Sequence, residues 1–327
     1  MSVLAKACAS APGKINLILN VARPDERGYH PLFSVFDTVE NRETVCLTLS
    51  YTDQARPVEI TTKVKIDPAT DAKVEAALAK LNPAQNLAVK AVLAVAKAGA
   101  SARCRALRDG QLAARVEVVK TIPMSGGMAG GSADAAAALV AANAALAAEL
   151  SEDELHRLAR QLGADVPACL AGEVSVATGY GDHIDATISV PTHYWVLALA
   201  HEGLSTAAVF AAFDQAQRGR EILPTGLDQN QTKALQAGHL AQVLENDLQA
   251  TAAQRPDLAA TLTQLEQRGE SAILSGSGPT IAVLATDAEH AHRLAHELRT
   301  WPTVAATVVT TAPSAPARLE WAENYQQ

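Results

Sequence analysis

The 327 residues predict a two-domain α+β protein, with an N-terminal domain over 1–188 and a C-terminal, helix-backed sheet domain over 189–327. Three observations predict it. The chain is long for one domain and comfortable for two that share an interface. It opens with a run of strand-like segments, and its second half alternates short apolar strands with amphipathic helices. Between them a glycine-rich stretch joins a strand to a long alanine helix. At 48% hydrophobic residues the chain reads as soluble and globular.

The first half reads as follows. Residues 3–9 are small and apolar and suit a strand. In A-P-G-K-I-N-L-I-L-N-V at 11–21, Ile15, Leu17 and Leu19 alternate with Asn16, Ile18 and Asn20, the two-residue period of a strand. Lys14 and Asn16 share parity and so one side, although a lysine at a strand edge is also an ordinary solvated residue. Asp25 to Gly28 is turn chemistry. It leaves Tyr29 and His30 where a loop either aims at a ligand or simply packs. Residues 33–39, 44–49 and 58–66 read as further strands. Asn86 to Ala98 has helical spacing, with Pro83 before it and Gly99 as its stop. Residues 100–111, carrying Arg103, Arg105 and Arg108, read as an exposed connection, and 114–119 as a strand.

Lys120 to Leu139, KTIPMSGGMAGGSADAAAAL, is the stretch on which function turns. Gly126, Gly127, Gly130 and Gly131 let successive N–H groups face one point without Cβ clashes. The helix start that follows adds free N–H groups and partial positive charge. Together these suit a phosphate; a flexible hairpin leading to a packed alanine helix fits the same residues. A Walker loop is excluded, because Ser132 stands where its lysine should be. A dinucleotide fingerprint is excluded because Met128 breaks G-x-G-x-x-G. Such a loop needs a lysine from elsewhere, or a metal.

In the second half, 131–150 is alanine-dense and helical. Ser151 and Glu154 form a capping box, followed by an apolar stripe of Leu155, Leu158, Ala159 and Leu162 and a stop at Gly163. Asp165, just before Pro167, suits either a helix cap worth about 1 kcal/mol or a working carboxylate. Residues 173–177 read as a strand, 179–182 as a turn, and 185–192 as the region of the domain boundary. Then come a strand at 194–200 and a helix capped by Ser205 or Thr206 that carries Val209, Phe210 and Phe213. Helical pieces follow over 230–251, 257–268 and 287–299, with strands at 272–274, 281–284 and 304–310. Ser275 to Gly278 is a glycine turn. The tail A-P-S-A-P-A-R reads as flexible.

The net charge of −8 argues against a general nucleic-acid binder. Cys8, Cys46, Cys104 and Cys169 form no C-x-x-C pair and read as separate buried side chains. No secretory leader is apparent in MSVLAKACASAPGK. No run approaches the roughly 20 apolar residues of a membrane span. The expectation is a cytoplasmic protein with no membrane and no nucleic-acid partner, as a monomer or weak homodimer.

Four segments fall in the order of one family. They are A-P-G-K-I-N-L at 11–17, P-M-S-G-G-M-A-G-G-S-A at 123–133, G-A-D-V-P at 163–167 and S-G-S-G-P at 275–279. Over about residues 10–310 the chain resembles the GHMP kinase superfamily. The resemblance implies that superfamily's two-domain fold, with an N-terminal ATP-binding, catalytic domain and a C-terminal domain that completes the substrate site. It implies an ATP-dependent small-molecule kinase using Mg²⁺. G-Y-H-P-L at 28–32 is similar to members that phosphorylate the 2-hydroxyl of a cytidine diphosphate derivative of methylerythritol, on the non-mevalonate route to isoprenoids.

The resemblance assigns roles residue by residue. Asp165 is the base and Lys14 its neighbour. Pro123, Met124, Ser125, Gly126, Gly127, Met128, Ala129, Gly130, Gly131 and Ser132 cradle the ATP phosphates, with Ser132 at a phosphate oxygen or Mg²⁺. Asn86, Leu87 and Lys120 lie around the adenosine. Tyr29, His30, Phe36 and Phe210 surround the cytosine, and Asn16 holds the sugar-like end. Gly276, Ser277 and Gly278 close the site from the second domain. There are departures: Gly13 stands where alanine is common, Ser125 and Ala129 where glycines are usual, and Ala133 where serine is common. The alternatives are another GHMP kinase, acting on mevalonate, homoserine or a sugar, and a non-catalytic nucleotide-binding regulator.

Overall fold

The computed structural model describes residues 2–52, 58–66, 71–80, 82–124 and 126–325. The expectation placed on Ser125 therefore lies outside the described residues. Among the described residues, two sheets organise the chain, one eight-stranded and one four-stranded.

The first sheet grows from β1 (Val3–Val21) and β2 (Leu32–Tyr51), paired antiparallel from Val3↔Ser50 to Val21↔Leu32. The sequence divides each into two strands, yet each runs through. The break in β1 is absorbed by register shifts at Pro12/Gly13 and Asn16/Ile18. Proline has no N–H to give a ladder, so a bulge is where a strand tolerates it. β3 (Glu59–Val64), α1 (Asp71–Leu78) and α2 (Leu87–Ala98) follow, with the Asn86 side chain accepting from the N–H groups of Ala88 and Val89.

Next comes α3 (Ala102–Arg108), where the sequence suggested an exposed connection. The arginines are not loosely solvated: Arg103 donates to the Ala145 carbonyl at 3.0 Å and Arg108 to the Gly99 carbonyl at 3.1 Å, satisfying carbonyls where neighbouring helices end. β4 (Leu112–Lys120) then leads into the glycine loop and α4 (Gly130–Ala145). Ala133, Ala135 to Ala138, Ala141 and Ala142 are all fully buried. A helix apolar all round is a buried one, and here it is wedged between the sheet and α2. α5 (Glu152–Leu162) has both bonds of the Ser151–Glu154 capping box, and α6 (Val166–Ala171) begins after Asp165. β5 (Val174–Thr178) and β6 (His183–Ile188) extend the sheet from β2.

The second sheet starts at β7 (His193–Leu199). α7 (Thr206–Gln215) follows, capped by Ser205, and then α8 (Gln229–Gln236), β8 (Glu245–Asn246), α9 (Gln249–Ala252) and α10 (Pro256–Gln267). β9 (Ala272–Leu274), β10 (Ile281–Ala285), α11 (Ala288–Leu298) and β11 (Ala306–Ala312) complete it in the order β11-β7-β10-β9. Its own core is Val196, Ile281, Val283, Leu294 and Leu298.

The tail overturns its expectation of flexibility. Ser314 is buried, and Arg42 donates to Ser314 Oγ at 2.7 Å, the Ala315 carbonyl at 2.8 Å and the Pro316 carbonyl at 2.8 Å. The backbone of Ala317 donates to Leu170 O, on α6. The chain then forms β12 (Arg318–Asn324), antiparallel to β1. Its apolar content is low, so hydrophobic periodicity gave no sign of it; pairing to β1 makes it a strand.

The cysteine expectation is also corrected. Antiparallel pairing puts Cys8 directly opposite Cys46, at a Cα–Cα distance of 4.0 Å, and the two are joined as a disulfide. Cys104 and Cys169 remain free and buried.

A buried polar contact ties the sheets together. Asp37 on β2 accepts from His193 Nε2 at 2.7 Å and from Trp195 Nε1 at 2.8 Å, both on β7. Burial disfavours the charged form of His193, but the hydrogen bond and charge of Asp37, with the Pro191 carbonyl, outweigh that and raise its pKa above 6.5. The folded state thus binds this proton more tightly than the unfolded chain does. Its stabilisation is complete below pH 6.5 and is lost as pH rises through the folded-state value. The thermal midpoint is expected to fall by a few degrees across that rise, and the fall is expected to flatten in His193→Gln. Equal slopes of midpoint against pH in the two proteins would remove His193 from this role.

Candidate active site

The bulge in β1 sets the first half of the site. Just past the Pro12/Gly13 shift, the Lys14 N–H donates to Met128 O, in the glycine loop, at 3.2 Å. The side chain is 5% exposed, so it is no solvated edge lysine. Lys14 Nζ donates to Asn16 Oδ1 at 2.9 Å, and Asn16 Nδ2 to Ser34 Oγ at 2.8 Å. The shared parity thus becomes a direct contact. The ammonium lies 3.6 Å from Asp165 Oδ1 and 5.1 Å from the centre of the Phe36 ring, close enough for a cation–π attraction. Asp165 stands at the N-cap position of α6 but makes no side-chain capping bond. Its carboxylate lines a cavity instead, with 37% of the side chain exposed.

The glycine loop forms the second half. It lines a cavity of about 410 Å³ together with Asn86, Lys120 and Asp134. α4 opens here behind Ala129, and no side chain caps it among the described residues. Its first N–H groups are therefore available to an anion. Ala129 has φ 58°, a left-handed conformation that costs a non-glycine residue roughly 1–2 kcal/mol, which is why glycine suits this position. Gly127, at φ 76°, is needed for a second reason: a Cβ there would meet Ser275 O at 2.1 Å. Ser275 Oγ in turn donates to Gly127 O at 3.1 Å, so the S-G-S-G-P turn of the second sheet sits on the loop. Ser132 is half-buried in the first turn of α4, and Leu87 lies beside Gly131. A recess of about 710 Å³, lined by Ile60, Ala79, Asn82 and Pro83 among others, continues the cavity through the shared residues Thr62, Leu78 and Asn86. A long ligand with anionic and apolar ends fits this shape.

Beneath the loop lies a cluster that sequence reasoning missed. Lys120 Nζ is 2.7 Å from Glu43 Oε1 and 2.8 Å from Asp134 Oδ2, all three side chains being nearly buried. Burial pushes Glu43 up to about 7, against the opposing pull of Lys120. Burial likewise raises Asp134, and the two carboxylates together raise Lys120 despite its own desolvation. A carboxyl that holds a proton near neutrality keeps this trio close to uncharged beside a site built for anions. Lys120 thus lines the cavity while its ammonium is committed inward.

A third cavity, of about 160 Å³, is lined by Lys14, Asn16, Phe36, Asp165, Phe210 and Ser277 among others. It shares Gly127 and Ala129 with the loop cavity, so one stretch of backbone walls both. Gly276 and Ser277 close it from the second sheet, and Ser277 Oγ pairs with Thr206 Oγ1 at 2.9 Å. Tyr29 and His30 stand one ring back. His30 tilts on Phe210 with centroids 4.8 Å apart, and Tyr29, 66% exposed, meets Tyr180 edge-on at 6.1 Å. Tyr180 and Thr206 line this cavity and were missed; the Gly179-Tyr180-Gly181 turn was the available signal for the first. The Tyr180 hydroxyl and the Tyr29 N–H hold the Asp25 carboxyl at a pKa of about 2, anchoring the loop that carries His30.

Comparison with known proteins points to one family. Residues 86–173 match the family model of the GHMP kinases N terminal domain, and residues 230–302 that of the GHMP kinases C terminal. The chain is 38% identical over 299 residues to a 4-diphosphocytidyl-2-C-methyl-D-erythritol kinase of Pseudarthrobacter chlorophenolicus, covering 88% of each. It is 38% identical over 313 residues to the protein of that name from Cutibacterium acnes, covering 94% of each. A crystal structure of 4-(cytidine 5'-diphospho)-2C-methyl-D-erythritol kinase superposes with a TM-score of 0.67 at 26% identity, over 94% of this chain and 100% of that one. The mevalonate kinase of L. major, at 15% identity and a TM-score of 0.68 over 96% and 97% of the two chains, shares the fold alone.

Proposed function

This chain belongs to the 4-diphosphocytidyl-2-C-methyl-D-erythritol kinase family of the GHMP kinases, and from that premise we propose that it phosphorylates the 2-hydroxyl of 4-diphosphocytidyl-2-C-methyl-D-erythritol, with ATP as donor. It is an ATP-dependent small-molecule kinase of isoprenoid biosynthesis. The observation that supports the detailed reading is the Lys14–Asp165 pair, 3.6 Å apart, on a cavity that shares the Gly127–Ala129 wall with the glycine-loop cavity.

Phosphoryl transfer depends on positioning and charge neutralisation more than on covalent chemistry. In this reading Asp165 takes the proton of the substrate hydroxyl as its oxygen attacks the terminal phosphorus of ATP. Lys14, oriented by Asn16, stabilises the charge that develops on that oxygen. Residues 126–132 hold the phosphates on backbone N–H groups, with Asn86 and Leu87 towards the adenosine. Phe36, Phe210, Tyr29 and His30 take the cytosine, and Gly276, Ser277 and Gly278 complete the substrate side.

Ser132 is the proposed protein ligand to Mg²⁺, which would neutralise phosphate charge. No group of three or more His, Cys, Asp or Glu among the described residues could hold a metal. Phosphate oxygens and retained waters would thus supply the rest of its coordination. The two-domain division at 188/189, a cytoplasmic location, the lack of a nucleic-acid partner and a monomer or weak homodimer belong to the same proposal. No helix among the described residues is long and apolar enough to cross a membrane.

The test is product formation from ATP with the diphosphocytidyl alcohol, mevalonate and homoserine offered separately. The expected outcome is a 2-phosphorylated product from the first alone. Turnover of mevalonate or homoserine with none of the diphosphocytidyl substrate would overturn the assignment.

A further inference from the structure

Asp214 has no part in the phosphoryl transfer described above, yet it makes the one hydrogen bond to the His30 ring among the described residues, Nε2···Oδ1 at 2.8 Å. Phe210 and Asp214 are one turn apart on α7 and so share a helix face. That face offers the imidazole an aromatic ring and a carboxylate together. The His30 side chain is 8% exposed and its partner 40%. The backbone around it is pinned as well: Tyr29 N–H donates to Asp25 Oδ1 at 3.0 Å and Leu32 N–H to Gly179 O at 2.7 Å. The ring is thus held in one place and one orientation.

A carboxylate only accepts hydrogen bonds, so the nitrogen facing it carries the proton. In a neutral imidazole the other nitrogen, Nδ1, is then an acceptor. Pyrimidine bases differ at the edge such an acceptor would meet. Cytosine offers its N4 amino group, a donor, where an oxo-pyrimidine offers an O4 acceptor. We infer that Asp214 is a positioning residue that sets base selection: by fixing His30 with Nδ1 as acceptor, it favours an amino-pyrimidine nucleotide over a uracil one. The inference rests on the reading above in which His30 meets the base edge.

The experiment measures kcat/KM for the cytidine substrate and its uridine counterpart in wild type, Asp214→Asn, Asp214→Glu and His30→Ala. It also reads the His30 tautomer by ¹⁵N NMR of the whole chain. An asparagine can donate to Nε2 and so permits the opposite tautomer. Wild type is expected to prefer the cytidine substrate by about 100-fold or more. Asp214→Asn is expected to cut that preference by about tenfold or more, raising KM for the cytidine substrate more than it lowers kcat. Asp214→Glu, which keeps the acceptor, is expected to retain most of it. The NMR of wild type is expected to show the proton on Nε2. A preference that falls in His30→Ala but stays in Asp214→Asn overturns the inference alone, as does a wild-type proton on Nδ1. A preference that survives His30→Ala overturns the base-edge reading and the inference with it.

Discussion

Replacing Asp165 with asparagine lowers kcat by about 10²–10⁴-fold, the usual worth of a positioned general base. The amide keeps the shape of the carboxylate but cannot take a proton from the attacking hydroxyl. Two features of the site make this a clean test. Asp165 makes no side-chain capping bond to α6, so the replacement breaks no helix cap. Lys14 keeps its bond to Asn16, so the ammonium does not collapse into a new position. The variant is therefore expected to bind an ATP analogue with a Kd within about threefold of wild type and to unfold within a few degrees of it. Turnover by a coupled ADP assay, calorimetric binding and a thermal scan separate these quantities. An unchanged kcat would remove Asp165 from the chemistry. Loss of nucleotide binding alongside turnover would make it a structural residue of the loop.

Gly127→Ala is expected to be the second most damaging change, through geometry rather than chemistry. The added Cβ would lie 2.1 Å from Ser275 O and 3.3 Å from Gly278 O, backbone atoms that cannot swing aside. It would also sit at φ 76°, where alanine costs roughly 1–2 kcal/mol against glycine. The loop and the 275–278 turn must then part, and both walls of the substrate cavity move. A displacement near 1 Å at such a site can cost about 100-fold in rate, and kcat/KM is expected to fall by at least that. Gly269→Ala is the control. Gly269 has nearly the same φ, 75°, but nothing within 4 Å of its would-be Cβ. It carries the conformational cost without the collision. If the two variants lose the same activity, the contact between loop and turn has no functional weight.

The parts of the molecule that the sequence reveals are those whose chemistry is local. The capping box at Ser151 and Glu154, the glycine stops at 99 and 163 and the alanine helix after the glycine loop each depend on residues within one turn of each other. Hydrogen-bonding capacity and backbone sterics decide them without reference to the rest of the chain. Lys14 and Asn16 belong here too, because the two-residue period of a strand puts them on one side. The motif order then points to the kinase family through residues that are close in the chain.

What the sequence leaves open are contacts whose partners are chosen by strand pairing across long separations. Cys8 and Cys46 are 38 residues apart and meet only because β1 and β2 pair in one register. Asp37 finds His193 across 156 residues, and His30 finds Asp214 across 184. The segment at 312–318 looks flexible by composition, and it is ordered because Arg42 gathers the carbonyls of Ala315 and Pro316. β12 lacks an apolar face of its own and is a strand because the edge of β1 is open to it. The sequence by itself determined the family and the two-domain α+β character of the fold, and it named the glycine loop, Lys14 and Asp165 as candidates. Only the tertiary structure decided that the loop of one sheet is closed by the turn of the other, and that Glu43 and Asp134 share Lys120 beneath it. Those arrangements depend on distances between segments remote in the chain, and such distances exist only once the sheets have formed.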